Sequence, residues 1–202
     1  MTKEISTADF RPIDSPMAFT LSIVNSFSCI FGSLGNLALI TVILLHKQLH
    51  GASEILLMSL AFADLVSCSV YLPLLLVRIN SNEKLPTEMN QARRAIGQAA
   101  AVCGSLNLLM LTVDRLIFFY RPLRYNYWMR KRIVATIIML IYGVSLFLGF
   151  YAYFDMITSQ YPKVALVGVP LLIFFVLHYA ICRLAQVHRN QVTNQEQSLQ
   201  HN

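Results

Sequence analysis

Five long stretches of the chain carry almost no charged residues, and no other feature constrains its fold as strongly. The stretches are residues 15–46, 55–77, 95–120, 133–154 and 164–182, with charges only at Asp64, Asp114 and Arg115. A helix needs about 20 mostly apolar residues to cross the hydrocarbon core of a bilayer. Irregular backbone exposed to lipid is too costly at that depth, because its polar groups find no partners. We therefore predict an all-α fold, a polytopic membrane helix bundle with five transmembrane helices.

The composition agrees with a membrane protein. Of the 202 residues 56% are apolar and 13% are charged, whereas soluble domains have about 45–50% and about 25%. The net charge of +6 is spread over short clusters between apolar stretches, so we expect membrane lipids as surroundings and no nucleic acid as partner. No group of His, Cys, Asp and Glu has catalytic or metal-binding spacing. We expect no enzymatic activity, no cofactor and no metal cluster.

Three segments follow from the apolar pattern. We expect an N-terminal head over residues 1–16, a transmembrane bundle over 17–187 and a polar tail over 188–202. The predicted helices cover about 17–46, 53–78, 92–120, 132–154 and 164–187. The tail is rich in Gln and Asn, which is typical of a solvated, disordered end. The first apolar stretch is longer than the core of a signal peptide, so we expect it to be retained.

The basic residues bear on which side of the membrane each end faces. Lys and Arg are divided almost equally between the segments on the two sides. The cluster Arg130-Lys131-Arg132 lies directly before the fourth stretch and favours the cytoplasm for that segment. This orientation leaves the N-terminus outside and the tail in the cytoplasm.

Polar residues inside the apolar stretches are candidates for function. Asp64 lies in the middle of the second stretch, where a charge costs about 3 kcal/mol on insertion scales. Asn36 lies in the first stretch, where it either joins helices by hydrogen bonds or takes part in function. Asp114 and Arg115 stand near the end of the third, where charges at helix ends also snorkel to the interface.

Several short motifs lie on these stretches or directly after them. They are Gly35-Asn36, Leu60-Ala61-x-Ala63-Asp64, Pro73, Asp114-Arg115-Leu116, Pro122-Leu123 and Pro170. At these spacings they resemble the signatures of the rhodopsin-like (class A) G-protein-coupled receptors, over about residues 17–190. The resemblance implies a receptor in the plasma membrane with an extracellular N-terminus, which transmits an extracellular ligand signal to a heterotrimeric G protein.

The resemblance also implies roles for the residues at the inner end of the third helix. Asp114 would hold Arg115 in the resting receptor, and Arg115 would face the C-terminal helix of the G protein once the cytoplasmic face opens. Pro122 and Leu123 would form the part of the following loop that packs on the G protein.

A core switch is implied in the middle of the bundle. Asn36, Asp64 and Pro170 would belong to it, and Asp64 would lie in a water-filled core that can hold a sodium ion. Gly104 replaces the serine that helps to hold this ion in the family, which weakens the expectation of sodium binding.

The chain departs from the family pattern at several positions. Asn90 stands where a cysteine normally bridges to the second extracellular loop, and the loop Asp155–Lys163 contains no cysteine. This loop is also very short. The missing disulfide and the short loop resemble the melanocortin and lysophospholipid-type branches. Tyr142 replaces the tryptophan of the fourth helix, and His178 replaces a tyrosine of the fifth.

Nothing in the 202 residues resembles the family's sixth and seventh helices. The chain is thus expected to be a fragment, a truncated gene product or a degenerate receptor, and to couple to a G protein only when those helices complete it. The alternative is a non-signalling truncated membrane protein that packs with or regulates full-length receptors, including as a receptor dimer.

The ligand is only partly constrained. The aspartate that binds amines in the family would fall at Gly97, so a biogenic amine is not expected. Arg93, Arg94 and Gln98 are the candidates for the ligand pocket, and the arginines either recognise an anionic group or anchor the helix end at the interface.

Overall fold

The computed structural model describes residues 15–46, 51–81, 86–154 and 160–200. Within these residues the chain forms seven α-helices and one π-helical segment, and no strand. The elements are α1 (Ser15–Leu45), α2 (Ala52–Val66), the π segment (Ser67–Tyr71), α3 (Leu72–Asn80), α4 (Thr87–Tyr120), α5 (Pro122–Trp128), α6 (Lys131–Tyr153) and α7 (Gln160–Gln200). The prediction of an all-α membrane bundle is confirmed.

Four of the described helices are long and apolar enough to cross a bilayer. They are Pro16–Leu45, Ala52–Asn80 (α2, the π segment and α3 together), Thr87–Tyr120 and Lys131–Tyr153. α7 contributes a shorter apolar stretch, Val167–Arg183, so the bundle has about five helices. Large apolar side chains such as Phe19, Leu140 and Phe175 lie on its outer surface. In lipid such an outer surface carries no hydrophobic penalty.

Several helix boundaries differ from the predicted ones. α4 begins at Thr87, directly after Pro86, rather than near residue 92. α7 continues to Gln200 instead of giving way to a disordered tail. No Gly or Pro follows Pro170 within α7, and its polar end contains Gln, Glu and Leu, which are good helix formers. Residues 1–14 of the predicted head lie outside the described residues.

α5 is a helix that was not predicted from the sequence. The segment after Arg121 was expected to be a loop, but it forms a short helix that begins at Pro122. Proline is well suited to the first position of a helix, because its fixed φ is helical and no backbone N–H is needed there.

α4 is the central element of the bundle, since α2, α6 and α7 all pack against it. Small residues let the helices approach closely: a Cβ at Gly149 of α6 would lie 2.8 Å from the Cβ of Ala99 and 3.0 Å from the carbonyl oxygen of Ala95 on α4. One buried cluster joins Leu56, Met129 and Val134. This cluster lies at the end of the bundle where α2, α5 and α6 meet.

The π segment interrupts the second membrane helix just before Pro73. Proline lacks a backbone N–H and its ring clashes with the carbonyl four residues earlier, so the helix must adjust there. A π segment is one way to make that adjustment. The π segment therefore ends two residues before Pro73, one of the motif residues named above.

Candidate functional site

A buried carboxylate joins three helices at the end of the bundle where α4 leaves the membrane. Asp114 of α4 is fully buried. Ser53, in the first turn of α2, donates a hydrogen bond from Oγ to Asp114 Oδ2 at 2.6 Å. Tyr125 of α5 donates from its hydroxyl to Asp114 Oδ1 at 2.8 Å. We call these three residues the Asp114 cluster.

The cluster has enough donors for an ionised carboxylate. A carboxylate only accepts hydrogen bonds, and each hydroxyl has one hydrogen to donate. The hydroxyl oxygens of Ser53 and Tyr125 lie 3.0 Å apart, close enough for either to donate to the other. Both hydrogens are directed to Asp114, one to each oxygen, which is the arrangement that best compensates a buried negative charge.

Tyr125 is held in place on its other side by an aromatic contact. Its ring meets Phe118 of α4 edge-to-face, with the centroids 5.5 Å apart. Burial raises the pKa of Tyr125 above its ordinary value, and the neighbouring Asp114 contributes in the same direction. The hydroxyl therefore stays protonated at neutral pH and remains a donor.

Arg115 is placed differently from the expectation. Its side chain is exposed, and among the described residues no ion pair joins it to Asp114. Both carboxylate oxygens of Asp114 are already occupied by hydroxyl donors. The structure therefore shows Asp114 bound to α2 and α5, with the side chain of Arg115 exposed. Pro122 and Leu123 are the first two residues of α5.

A second buried polar group lies two helical turns before Asp114 on α4. Asn107 is fully buried and accepts a hydrogen bond from Ser59 Oγ of α2 at 2.9 Å. Tyr142 of α6 donates from its hydroxyl to the carbonyl oxygen of Ser59 at 3.0 Å. These bonds join α2, α4 and α6, and Tyr142 carries one of them from the position where the family has tryptophan.

The predicted core residues do not form one network in the described part of the chain. Asp64 is half-buried on α2 and faces Gly104, where a Cβ would lie 3.8 Å from its Oδ1. Asn36 donates to the carbonyl of Gly32 in its own helix at 2.9 Å. Pro170 lies inside α7. Within the described residues, no group of three or more His, Cys, Asp or Glu side chains could hold a metal ion.

The candidates for the ligand pocket lie on the first half of α4. Arg93 directs its guanidinium at Asn90, donating to Oδ1 from Nε at 3.3 Å and from Nη2 at 2.9 Å. Gln98 has a buried amide nitrogen without a hydrogen-bond partner in the described chain. The ring of Tyr71 lies against Gly97 so closely that a Cβ there would collide with it. Tyr71 thus occupies the space in which the amine-binding aspartate would stand.

Four residues of these networks were not predicted from the sequence: Ser53, Tyr125, Ser59 and Asn107. Each is a small or aromatic polar residue whose importance comes only from its partner on another helix. The available signal was positional: Ser53 lies in the first turn of a membrane helix, and Tyr125 follows Asp114 by 11 residues across a proline.

Comparison with known proteins decides the family. The profile described as "7 transmembrane receptor (rhodopsin family)" matches residues 35–164. The chain belongs to this family. The resemblance inferred from the short motifs is therefore confirmed, and the chain is a multi-pass membrane protein of the receptor class.

Individual relatives match over parts of the chain that differ in length. It is similar to the neuropeptide Y receptor type 1 of Xenopus laevis, with 40% identity over 62 residues, which are 31% of this chain and 17% of that receptor. It is similar to the alpha-1A adrenergic receptor of Cavia porcellus, with 24% identity over 136 residues, 67% of this chain and 29% of that receptor. It is also similar to the melatonin receptor type 1A of Mus musculus, with 30% identity over 117 residues, 57% of this chain and 33% of that receptor. The chain thus spans about a third or less of the length of these three relatives.

Proposed function

We propose that this rhodopsin-family chain carries the G-protein-coupling end of a receptor that transmits an extracellular ligand signal to a heterotrimeric G protein. The observation that carries the proposal is the Asp114 cluster. It ties the end of α4 to α2 and α5 through a fully buried carboxylate. Arg115, the next residue, is exposed.

The cluster gives the coupling surface a defined shape. Three helices meet at Asp114, so α5 with Pro122 and Leu123 cannot shift without breaking a hydrogen bond to a buried charge. Arg115 offers a planar guanidinium that suits carbonyl or carboxylate groups at the end of a partner helix. The proposed orientation puts this end in the cytoplasm and the N-terminus outside the plasma membrane.

The ligand side is proposed at the opposite end of α4. Gln98 presents a buried amide nitrogen there, and Arg93 and Arg94 bring two positive charges. A ligand with an anionic or acceptor group fits these donors. A biogenic amine does not fit, since like charges repel and Tyr71 fills the space beside Gly97.

The experiment is nucleotide exchange on a panel of G proteins. In the family the sixth helix is the moving element, so residues 1–202 are co-expressed with a fragment that carries helices 6 and 7 of a rhodopsin-family relative. We expect exchange above that of either fragment alone. Arg115→Ala should abolish it, and Arg132→Ala, which removes an exposed arginine from the first turn of α6, should leave it unchanged. Equal exchange by the wild type and Arg115→Ala would refute the proposal.

A second candidate function is a non-signalling membrane partner that packs with full-length receptors. The observation that favours it is the exposed apolar face of α7, which includes Leu172, Phe175, Val176 and Tyr179. This function requires intact packing faces on the helices and does not depend on Arg115. Co-purification with a full-length receptor that survives Arg115→Ala but is lost in Phe175→Glu would favour this candidate over coupling.

A further inference from the structure

The thiol of Cys68, on the second membrane helix, lies directly against the backbone of the first. Cys68 belongs to the π segment, which packs on α1. A Cβ added to Gly32 of α1 would lie 2.5 Å from Cys68 Sγ and 3.5 Å from Cys68 Cβ. Nonbonded heavy atoms keep about 3.5–4.0 Å between them. The sulfur therefore occupies space that is open only because residue 32 is glycine.

A second thiol, that of Cys29, lies on the same face of α1. Cys29 stands three residues before Gly32, and residues three apart on a helix are neighbours, with about 5–6 Å between their Cβ atoms. The thiols of Cys29 and Cys68 are close enough to interact electrostatically. Both cysteines are free and half-buried, whereas Cys103 is buried on α4 and Cys182 is exposed on α7. Cys29 and Cys68 thus form a pair of thiols on two membrane helices that pack together.

α1 is the membrane helix with the least burial in the bundle. Of its most apolar window 6% is buried, against 11%, 39% and 22% in the other three spans. Its main contacts are with α2, the π segment and α3. Because packing holds membrane helices together, α1 is the span that a covalent bond to its neighbour would secure most. The same sparse packing lets α1 shift until two Cβ atoms reach the separation of about 3.5–4.5 Å that a disulfide requires.

We propose that Cys29 and Cys68 are a site of reversible oxidation, at which a disulfide links α1 to the second membrane helix. The oxidant is an organic hydroperoxide of the bilayer. Hydroperoxides form on unsaturated acyl chains, in the apolar layer that both spans cross. The disulfide is uncharged, so the low dielectric of that layer does not oppose it.

The reaction has two steps. The sulfur of one cysteine attacks the terminal oxygen of the hydroperoxide and the O–O bond breaks, which gives a sulfenic acid and an alcohol that leaves with the thiol proton. The sulfur of the other cysteine then attacks the first sulfur and the S–O bond breaks, so that the hydroxyl leaves as water with the second thiol proton. The two thiols lose two electrons, and the hydroperoxide gains them.

The presence of a second thiol decides the product. A sulfenic acid without a neighbouring thiol is oxidised further to sulfinic acid, which is not reversed by thiols. Gly32 keeps the sulfur of Cys68 against α1, one helical turn from Cys29. The second step is therefore intramolecular and fast.

The test exposes the purified chain of residues 1–202, in nanodiscs of saturated phosphatidylcholine, to cumene hydroperoxide. The remaining thiols are blocked with N-ethylmaleimide, and the chain is digested with trypsin and analysed by mass spectrometry. Trypsin cuts after Lys47, between the two cysteines, so the disulfide appears as two linked peptides that dithiothreitol separates. We expect the link between Cys29 and Cys68 as the main product. Equal amounts of links to Cys103 or Cys182, or oxidation of Cys68 without a link, would overturn the proposal.

Two glycine variants keep all four cysteines and test the geometry. Gly32→Ala places a Cβ 2.5 Å from Cys68 Sγ, which displaces the sulfur and should slow disulfide formation by about tenfold or more. Gly35→Ala is the matched control on the same helix, because a Cβ there has nothing within 4 Å, and the rate should change by less than about twofold. Circular dichroism checks that both variants are helical. Equal rates in the two folded variants would overturn the proposal.

A third measurement tests whether the disulfide secures α1. The oxidised wild type should unfold at a higher fraction of sodium dodecyl sulfate than the reduced wild type, since a disulfide restricts the unfolded chain. Cys29→Ser treated with the same hydroperoxide should show no such rise, and Cys182→Ser should show the full rise. Equal unfolding of the oxidised and reduced wild type would contradict the proposal. The measurements use neither ligand nor G protein, so their result is independent of whether the chain couples.

Discussion

Removing one hydroxyl from the Asp114 cluster tests whether that cluster stabilises the bundle. Tyr125→Phe deletes the donor to Asp114 Oδ1 and keeps the ring that contacts Phe118. Hydrogen bonds to charged groups contribute about 1.5–3 kcal/mol, and a buried carboxylate oxygen left without its donor loses that amount. We expect the free energy of unfolding to fall by about 2 kcal/mol.

The assay is reversible unfolding of the purified chain in mixed detergent micelles, followed by circular dichroism. The matched control is Tyr127→Phe, since Tyr127 lies on the same helix, is exposed and stacks with Arg130 through its ring at 4.7 Å from the guanidinium carbon. The control should change stability by less than about 0.5 kcal/mol. Equal stability of Tyr125→Phe and the wild type would refute the view that this hydroxyl holds the buried carboxylate.

Ser53→Ala extends the same test, because Ser53 and Tyr125 share one acceptor group. Mutations with a shared partner are not additive, so the free-energy cost of the double variant should differ from the sum of the costs of the single variants by about 0.5 kcal/mol or more.

The pH dependence of the Tyr125 contribution to stability has a defined sign. The pKa of Tyr125 is raised above its ordinary value of 10.0, so its contribution is fully present below about pH 10 and is lost only as the pH rises through the raised value. The cost of Tyr125→Phe should therefore be the same at pH 7 and pH 9.

Three further predictions concern the rest of the bundle. Asn107→Ala should lower the free energy of unfolding by about 1–3 kcal/mol in the same assay. The control is Ser145→Ala, which should cost less, because the buried Ser145 donates to a carbonyl of its own helix at 2.7 Å. Equal costs of the two variants would show that the hydrogen bond from Ser59 to Asn107 does not contribute to stability. Asp64→Asn should reach the membrane in the same yield as the wild type, because Asp64 faces Gly104 inside the bundle; a clear gain in yield would indicate a carboxylate facing lipid. Antibody tags at Met1 and Asn202, probed in intact and permeabilised cells, should be found outside and inside; two tags on one side would contradict a five-span topology.

The sequence was sufficient to predict the membrane helices and the family. Both follow from local features, namely uncharged stretches and motifs such as Asp114-Arg115-Leu116 that lie within a few residues. The sequence did not predict the partners of Asp114. Ser53 is 61 residues away in the chain, and nothing in a single sequence says which of many serines will face a given carboxylate.

The helix boundaries show a similar limit. Pro122 was interpreted as part of a loop, although proline also begins helices, and the structure shows α5 starting there. The polar end of α7 was expected to be disordered from its composition, but Gln, Glu and Leu also favour helix and the chain continues as helix to Gln200. In both places the composition was compatible with two structures.

The central claim is that the hydroxyls of Ser53 and Tyr125 keep Asp114 away from Arg115 and leave the arginine available to a G protein. Nucleotide exchange by the complemented receptor, compared between Tyr125→Phe and Tyr127→Phe, tests this most directly. Without the Tyr125 hydroxyl, Asp114 Oδ1 loses its donor and Arg115 is the adjacent cation that can replace it. We predict that Tyr125→Phe lowers exchange severalfold while Tyr127→Phe leaves it unchanged. Unchanged or increased exchange in Tyr125→Phe would contradict the account.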